Sequence, residues 1–482
     1  MASLANRRLA RRVVTVVALG VAVFAAPTVT AHGGSLGASA RESVTVPTWL
    51  FLLTGGAVVG ASFLLASFVT DRRLIDDLHG WRATVPFPGR DSLASIARVG
   101  GVLGVVGVVS IGYVGPGNGL SNLAILVVWV GWWAGYAMSA YLLGETWSTV
   151  NPWRTIAELL PSLDRSLPPM GAWPAVVGLL TLIWIEVVSP LADDPALLST
   201  VVVGYTIVTL AGAVVFGPDR WFDRVDPIAA VFSYYGHVAP VVTASTGIAR
   251  SDGTQRDDSE EREDANRLTV RPPGVGLTRA DIVTDSSDVA FVVALLWSTT
   301  YDGLVATPAW ESLITPLVEF GVPAHLLYPV ALAAGFVGFL GVYRLAARSA
   351  RSTGETYLAA DELARRFAPP LIAIAAGYHL AHYLGYFLSL APVLATVLTS
   401  PLSPPAIVPV FSLPGWFGAI PVASVLAGHL LAIWIAHAAA FDLFPGRLQA
   451  IRSQYPFTLV MVAYTMTSLW IVTQPTIQPP FL

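Results

Sequence analysis

Ten stretches of mostly apolar residues recur along the chain, each about as long as the ~20 residues that carry an α-helix across the hydrocarbon core of a bilayer. Backbone N–H and C=O groups find no water in that core, so stretches of this kind are expected to be helical. The sequence therefore predicts an all-α fold, a polytopic transmembrane helical bundle with about ten spans after a signal peptide. The predicted spans are 47–70, 96–114, 121–143, 172–191, 197–217, 287–305, 324–343, 368–390, 421–441 and 455–474.

The composition supports this class and excludes several others. Hydrophobic residues make up 54% of the 482 residues and charged residues only 12%, about half the charged share of a soluble domain. The chain has no cysteine, which excludes disulfides, zinc–thiolate sites and iron–sulfur clusters. A net charge of −4 without a basic face argues against nucleic acid as a partner. The expected partners are the lipid bilayer and a small solute or ion.

The N-terminus has the pattern of an export signal. Four arginines precede an apolar run, Val13–Ala26, and small residues follow at Val29–Ala31. This pattern predicts a signal peptide over 1–31, with an uncleaved additional span as the alternative. Cleavage after Ala31 would leave His32 as the first residue, where a free amine and an imidazole together can chelate copper.

The arginines give an independent prediction of orientation, because cytoplasmic loops of membrane proteins are enriched in basic residues. All basic residues of this chain are arginine, a bias that suits a halophile-like proteome or a GC-rich genome. With the mature N-terminus outside, every arginine beyond the signal falls in or beside a cytoplasmic loop, except Arg41. The sequence predicts a protein of the cell (plasma) membrane with its arginine-rich loops in the cytoplasm.

Two connections between spans differ in character. Residues 246–286 include the polar and strongly acidic run 251–264, which predicts a disordered cytoplasmic insertion between two transmembrane halves, 32–245 and 287–482. Five spans in each half would suit inverted repeats, but the halves share no sequence echo, so one irregular bundle is expected. Residues 391–419 are uncharged and rich in proline, which predicts an outer cap or a re-entrant loop buried in protein.

Ionisable residues inside the predicted spans mark candidate sites, because burying them in a membrane is costly. His379, His382 and Tyr383 share one face of the eighth span, and His429 lies in the ninth. A carboxyl group lies in each of two further spans, Asp302 at the end of the sixth and Glu186 in the fourth. These six side chains are the predicted lining of a path for a solute or ion.

Several chemistries fit these residues, and the residues alone do not choose among them. His379, His382 and His429 could hold a divalent metal or, with two axial ligands, haem, but buried imidazoles also bond backbone carbonyls and tyrosine hydroxyls. Asp302 and Glu186 could simply be hydrated near the outer interface. The small residues beside His429 predict a close helix-packing face: Gly428, Ala432, Ala436 and Ala440.

Two classes of function follow from these residues. The first is handling or transport of a small solute, metal or proton along the buried path. The alternative is a membrane-embedded hydrolase in which the histidines hold a metal that activates water. The chain contains no P-loop, dinucleotide-binding glycine fingerprint, His-Glu-x-x-His pair or Gly-x-Ser-x-Gly elbow. ATP-driven transport and the common serine and zinc hydrolase chemistries therefore have no recognisable machinery.

Six short pieces of sequence occur in a distinctive order: Pro47-Thr-Trp-Leu-Phe51, Asn151-Pro-Trp-Arg154, Trp184-Ile-Glu186, Phe232-Ser-Tyr-Tyr235, Ser298-Thr-Thr-Tyr-Asp-Gly303 and His379-Leu-Ala-His-Tyr383. With a signal segment that ends in Ala-His-Gly, they resemble a family of bacterial and archaeal membrane proteins named after fenitrothion hydrolase. The resemblance implies hydrolysis of organophosphate esters and assigns no catalytic residue. The acidic run 251–264 is a departure from that family.

Overall fold

Each predicted span overlaps a helix in the part of the chain that the structure, a computed structural model, describes: residues 48–243, 267–472 and 474–482. Of the residues that the structure describes, 73% are helical and very few lie in strands, which confirms the predicted all-α class. The helices are α1 (Thr48–Ser67), α2 (Arg72–Gly80), α3 (Arg90–Val114), α4 (Leu123–Leu142), α5 (Trp147–Val150), α6 (Pro152–Ala157), α7 (Trp173–Val188), α8 (Pro195–Phe216), α9 (Pro218–Arg224), α10 (Pro227–Gly236), α11 (Ser286–Val305), α12 (Pro308–Glu319), α13 (Ala324–Thr353), α14 (Ala360–Phe367), α15 (Pro369–Leu398), α16 (Ala419–Leu443) and α17 (Arg447–Val472). The predicted signal peptide and His32 lie outside the described residues.

Within the described ranges, eight helical segments are long and apolar enough to cross a membrane. A bent pair, α1 and α2 at 110°, would add a ninth, while α7 is apolar but only 16 residues long. Large apolar side chains such as Leu103, Ile207 and Val337 are about two-thirds exposed on outer helix faces, as contact with lipid requires. The helical bundle is thus that of an integral membrane protein, and the count of ten spans stays a prediction.

Helix α11 lies at the centre of the bundle, since nearly all of its residues are buried. Its N-terminus is closed by a capping box between Asp285 and Asp288. One of its faces is anchored to α13, because the Trp297 indole donates to the Leu332 carbonyl at 2.8 Å and the Tyr301 hydroxyl donates to the Tyr328 carbonyl at 3.0 Å.

The backbones of α15 and α16 pack in direct contact. A Cβ atom on Gly377 would lie 2.7 Å from the Ser424 carbonyl oxygen and 2.9 Å from the Gly428 Cα. Neither position therefore has room for a residue larger than glycine. Gly428, Ala432, Ala436 and Ala440 are all buried, which confirms the predicted close-packing face.

The middle of α4 departs from ordinary helical geometry. Residues Leu126–Tyr136 form a π-helix, in which hydrogen bonds join residues five apart instead of four. Gly135 lies in this segment, and a Cβ there would be 2.6 Å from a ring carbon of Phe387 on α15. The absence of a side chain at Gly135 therefore lets α4 pack closely against α15.

The prediction of a disordered insertion over 246–286 is wrong for its second part, residues 267–286. Its acidic run lies outside the described residues, but Arg267–Val270 form strand β3, which pairs antiparallel with β1 (Ala83–Pro86) and β2 (Val241–Thr243) in the order β1-β3-β2. Val275, Gly276 and Leu277 are buried beyond it. The second part of the predicted insertion is therefore ordered, because its hydrogen-bond partners come from strands remote in the sequence.

The proline-rich segment 391–419 forms an exposed cover. Helix α15 continues to Leu398, past the predicted end at residue 390, and irregular backbone follows up to the 3₁₀ turn Gly415–Gly418. Ile407 is 89% exposed, and the Phe411 amide donates to the Ser389 carbonyl at 2.9 Å, which ties the cover to α15. This exposure argues against a loop buried in protein, and a cap on the outer side stays a prediction.

Candidate functional site

A cavity of about 180 Å³ lies between α4, α7, α8, α10, α11 and α15. Its walls are mostly apolar, and its polar side chains come from three of the helices. They are Glu186 on α7, Ser298, Thr299 and Asp302 on α11, and His379 and His382 on α15. The structure thus brings together five of the six predicted path residues, since Tyr383 lines the same cavity.

Asp302 and His382 form a close pair of ionisable side chains at the cavity. His382 Nε2 lies 3.6 Å from Asp302 Oδ2, within ion-pair distance when the imidazole is protonated. Both residues are more than nine-tenths buried, with 7% and 6% of their surface exposed. The second carboxylate oxygen, Asp302 Oδ1, has no hydrogen-bond partner among the described residues. Because a buried polar atom without a partner is costly, this oxygen is available to a proton or a ligand.

His379 is held in place by its neighbours. The Tyr141 hydroxyl and His379 Nδ1 are 3.0 Å apart, and the rings of Trp133 and Tyr383 lie 5.3 Å and 4.6 Å from the imidazole. The other ring nitrogen, Nε2, has no partner in the described part of the chain. His379 therefore offers one fixed nitrogen, as donor or acceptor according to tautomer.

Ser298 and Asp302 lie one helical turn apart on α11, each directly after one of the two residues, Trp297 and Tyr301, that anchor this helix to α13. The Ser298 hydroxyl and the Tyr378 hydroxyl also lack partners within the described ranges. Gly303 makes room for Tyr378, because a Cβ at this position would lie 2.6 Å from the tyrosine hydroxyl. Several buried polar atoms around one cavity are thus left for a ligand or for water.

His429 is the predicted path residue that the structure places elsewhere. It is buried on α16, where its Nδ1 lies 2.8 Å from the Val425 carbonyl oxygen of the previous turn, and it is not among the described residues that line the cavity. His437, on the same helix, contacts the Val69 carbonyl oxygen at 2.8 Å through Nε2. These two histidines have the structural bonding that buried imidazoles commonly adopt.

The predicted metal site finds limited support in the geometry. Over residues 48–243, 267–472 and 474–482, no three His, Asp or Glu side chains are grouped closely enough to hold a metal ion. His379 and His382 do share the cavity with two carboxyl groups, but not with His429. Metal ligation by His379, His382 and His429, haem binding, and copper at His32 all stay predictions.

The sequence interpretation missed the aromatic wall of the cavity. Trp129, Trp132 and Trp133 enter it from the π-helical part of α4, and Tyr235 and Tyr378 enter from α10 and α15. The available signal was three tryptophans within five residues inside a span, away from the membrane interface where tryptophan is usually enriched. Ordinary α-helical geometry does not predict where these rings lie, because the π-helix changes the face of α4 on which each ring lies.

Four of the six pieces that carry the family resemblance meet at this cavity. Their lining residues are Glu186, Phe232, Tyr235, Ser298, Thr299, Asp302, His379, His382 and Tyr383. The pieces lie on helices far apart in the sequence, and the packing of these helices in the bundle brings them together. Comparisons with protein-family models, with curated proteins and with solved structures find no match to this chain.

Proposed function

We propose that the protein is a membrane carrier that binds a small solute in the cavity and exchanges a proton at Asp302 and His382 as the solute enters and leaves. The observation that supports this most is the buried pair itself, with 3.6 Å between His382 Nε2 and Asp302 Oδ2 at the cavity wall.

The physical reason is the cost of charge away from water. A carboxyl group inside a membrane protein is stable when it is protonated, or when it is ionised and a positive group lies beside it. His382 supplies such a group only when it carries a proton. A bound solute that changes the charge near Asp302 therefore changes whether the pair holds its proton, which couples binding to proton release or uptake.

The helices around the cavity have features that suit a site whose access changes. Helix α7 is shorter than a full span, at 16 residues, and the π-helical segment of α4 packs its tryptophans against the site. π-Helical turns often occur at functional sites.

Solute-induced charge movement tests the proposal. Purified protein in proteoliposomes would be measured by solid-supported-membrane electrophysiology, with organic cations, amino acids, sugars and inorganic ions as successive probes. We expect at least one class to give a transient current that depends on the pH gradient. Asp302→Asn should lower that current at least tenfold, because the amide cannot take up or release the proton.

The matched control is Asp194→Asn. Asp194 caps the N-terminus of α8 by accepting from the Ala196 and Leu197 amides, and asparagine caps helices equally well. This variant should keep the wild-type current. Currents absent for every probe class, or equal in Asp302→Asn and wild type, would contradict the carrier.

The hydrolase implied by the family resemblance is the second candidate, because four of the six pieces that carry the resemblance contribute residues to the cavity. Release of nitrophenol from a nitrophenyl organophosphate ester by the purified protein would support it, provided that Asp302→Asn abolishes the release. A rate no higher than that of empty proteoliposomes would remove this candidate.

A further inference from the structure

The cavity is walled by aromatic rings on two sides. Trp129, Trp132 and Trp133 come from α4, and Tyr378 and Tyr383 come from α15. Trp133 and Tyr383 meet edge to face, with centroids 6.0 Å apart and ring planes at 82°. Ring faces carry partial negative charge and attract cations, most strongly where water is excluded.

Apart from the histidines, the ionisable side chains of the cavity wall are all acidic. Glu186 and Asp302 are its carboxyl groups, and none of the described lining residues is an arginine. The chain has no lysine at all. Asp302 Oδ1 is buried and unpartnered within the described part of the chain, so the wall contains an acceptor for a positive group. An anionic ligand would meet two carboxyl groups and no fixed cation, which argues against anions.

The lining also argues against a bare inorganic cation. Calcium takes six to eight oxygen ligands, and magnesium prefers six or retains its own waters. Here seven of the 25 described lining side chains carry oxygen and only two of these are carboxyl groups, and among the described residues no three His, Asp or Glu side chains are grouped closely enough to hold a metal ion. A cation with an apolar body makes better use of such a wall, because its charge can lie near Asp302 while its carbon atoms contact the rings.

The volume limits the size of the ligand. Drug-sized ligands occupy pockets of roughly 300–1,000 Å³, whereas this cavity holds about 180 Å³. A cavity of roughly 150 Å³ accepts a molecule the size of benzene. The ligand is therefore compact, with the bulk of a trimethylammonium group and a short substituent.

We propose that the cavity binds a small organic cation of the methylated-ammonium class, with Asp302 and Glu186 supplying the counter-charge and Trp129, Trp133 and Tyr383 supplying the aromatic faces. This inference rests on the proposed function in one respect only, that the cavity is a binding site. It adds the class of solute, which the buried Asp302–His382 pair does not specify.

The test compares two probes of nearly the same shape and different charge. Choline carries a trimethylammonium group, and 3,3-dimethylbutan-1-ol replaces the charged nitrogen with carbon. Binding of each to the full chain in lipid nanodiscs would be followed by isothermal titration calorimetry. We expect choline to bind at least tenfold more tightly than the neutral alcohol, because only choline interacts with the carboxyl groups and ring quadrupoles.

A tryptophan variant tests the aromatic wall separately from the carboxyl groups. Trp133→Leu keeps an apolar side chain but removes a ring face, and it should weaken choline binding about tenfold. Trp416→Leu is the control, since Trp416 is 69% exposed on the outer cover and does not line the cavity. It should bind choline as the wild type does.

The outcomes separate this inference from the carrier proposal. Equal binding of the two probes, or no choline binding while another solute class gives proton-dependent currents, would overturn the cation site and leave the carrier standing. Choline binding that is selective over the alcohol but produces no current with any probe would support the cation site and overturn the carrier. Neither binding nor current would overturn both.

Discussion

At the scale of single residues, the cavity depends on side chains that hold other side chains in place. His379 lines the cavity, yet its orientation is set from outside by the Tyr141 hydroxyl, 3.0 Å from Nδ1. A hydrogen bond of this kind contributes about 1 kcal/mol to stability. Its larger effect is to fix the orientation of the imidazole and so which ring nitrogen faces the cavity.

Removing that hydroxyl should affect binding more than stability. In Tyr141→Phe the ring packing remains, but His379 can rotate and change tautomer. We expect a fall of at least fivefold in solute-induced current or choline affinity, with a melting temperature within a few degrees of wild type. Tyr343→Phe is the matched control, because the Tyr343 hydroxyl donates to the Ala364 carbonyl at 2.8 Å away from the cavity. Equal binding in both variants and wild type would show that Tyr141 has no positioning role.

At the scale of helices, the direct contact between α15 and α16 fixes the position of both cavity histidines. Gly377 lies two residues before His379 and leaves no space for a Cβ against the α16 backbone. The backbone of α15, which carries the histidines, therefore contacts the backbone of α16 directly. Neither helix can shift at this point without moving the other.

Gly377→Ala should destabilise the protein by about 1–3 kcal/mol, because an added methyl in a tightly packed position forces backbone shifts. Gly338→Ala on α13 is the control, since a Cβ there meets nothing within 4 Å. That change should be neutral or slightly stabilising, as alanine is the better helix former. Thermal unfolding of both variants in detergent would show the difference. A Gly377→Ala variant that melts with wild type would mean that the two helices are not in backbone contact.

The sequence predicted the helices of the bundle well and the details that depend on distant contacts poorly. Span positions follow from the length of apolar runs, which is a local property. Strand β3 was predicted as disordered because its partners, β1 and β2, lie elsewhere in the chain. The π-helix was missed because its geometry leaves no simple periodic pattern.

The candidate site shows the same division. Intramembrane His and Asp residues are visible in a sequence because they are expensive to bury, which is how His379, His382, Asp302 and Glu186 were found. Their aromatic neighbours carry a weaker signal, the three tryptophans within five residues of one span, because tryptophan and tyrosine are also enriched at membrane interfaces for reasons unrelated to a site. His429 resembles the cavity histidines in sequence, and only the packing of α16 distinguishes it.

At the scale of the whole molecule, the distribution of arginines predicts the orientation in the membrane. Residues 251–264, which lie outside the described part of the chain, are expected on the cytoplasmic side and the exposed cover before α16 on the outer side. Protease added to inside-out vesicles should cut within 251–264, while protease added to intact cells should not. Cleavage of this run in intact cells would contradict the predicted orientation.

The partnership of His382 with Asp302 at the cavity is tested most directly by the solute-induced current of His382→Gln. Glutamine keeps hydrogen bonding but cannot carry the proton, so we expect the current to fall at least tenfold while the protein still folds and inserts. His437→Gln is the matched control, since His437 is equally buried but contacts the Val69 carbonyl oxygen instead of the cavity. It should retain the wild-type current. Wild-type current in His382→Gln, or an equal loss in both variants, would contradict the carrier.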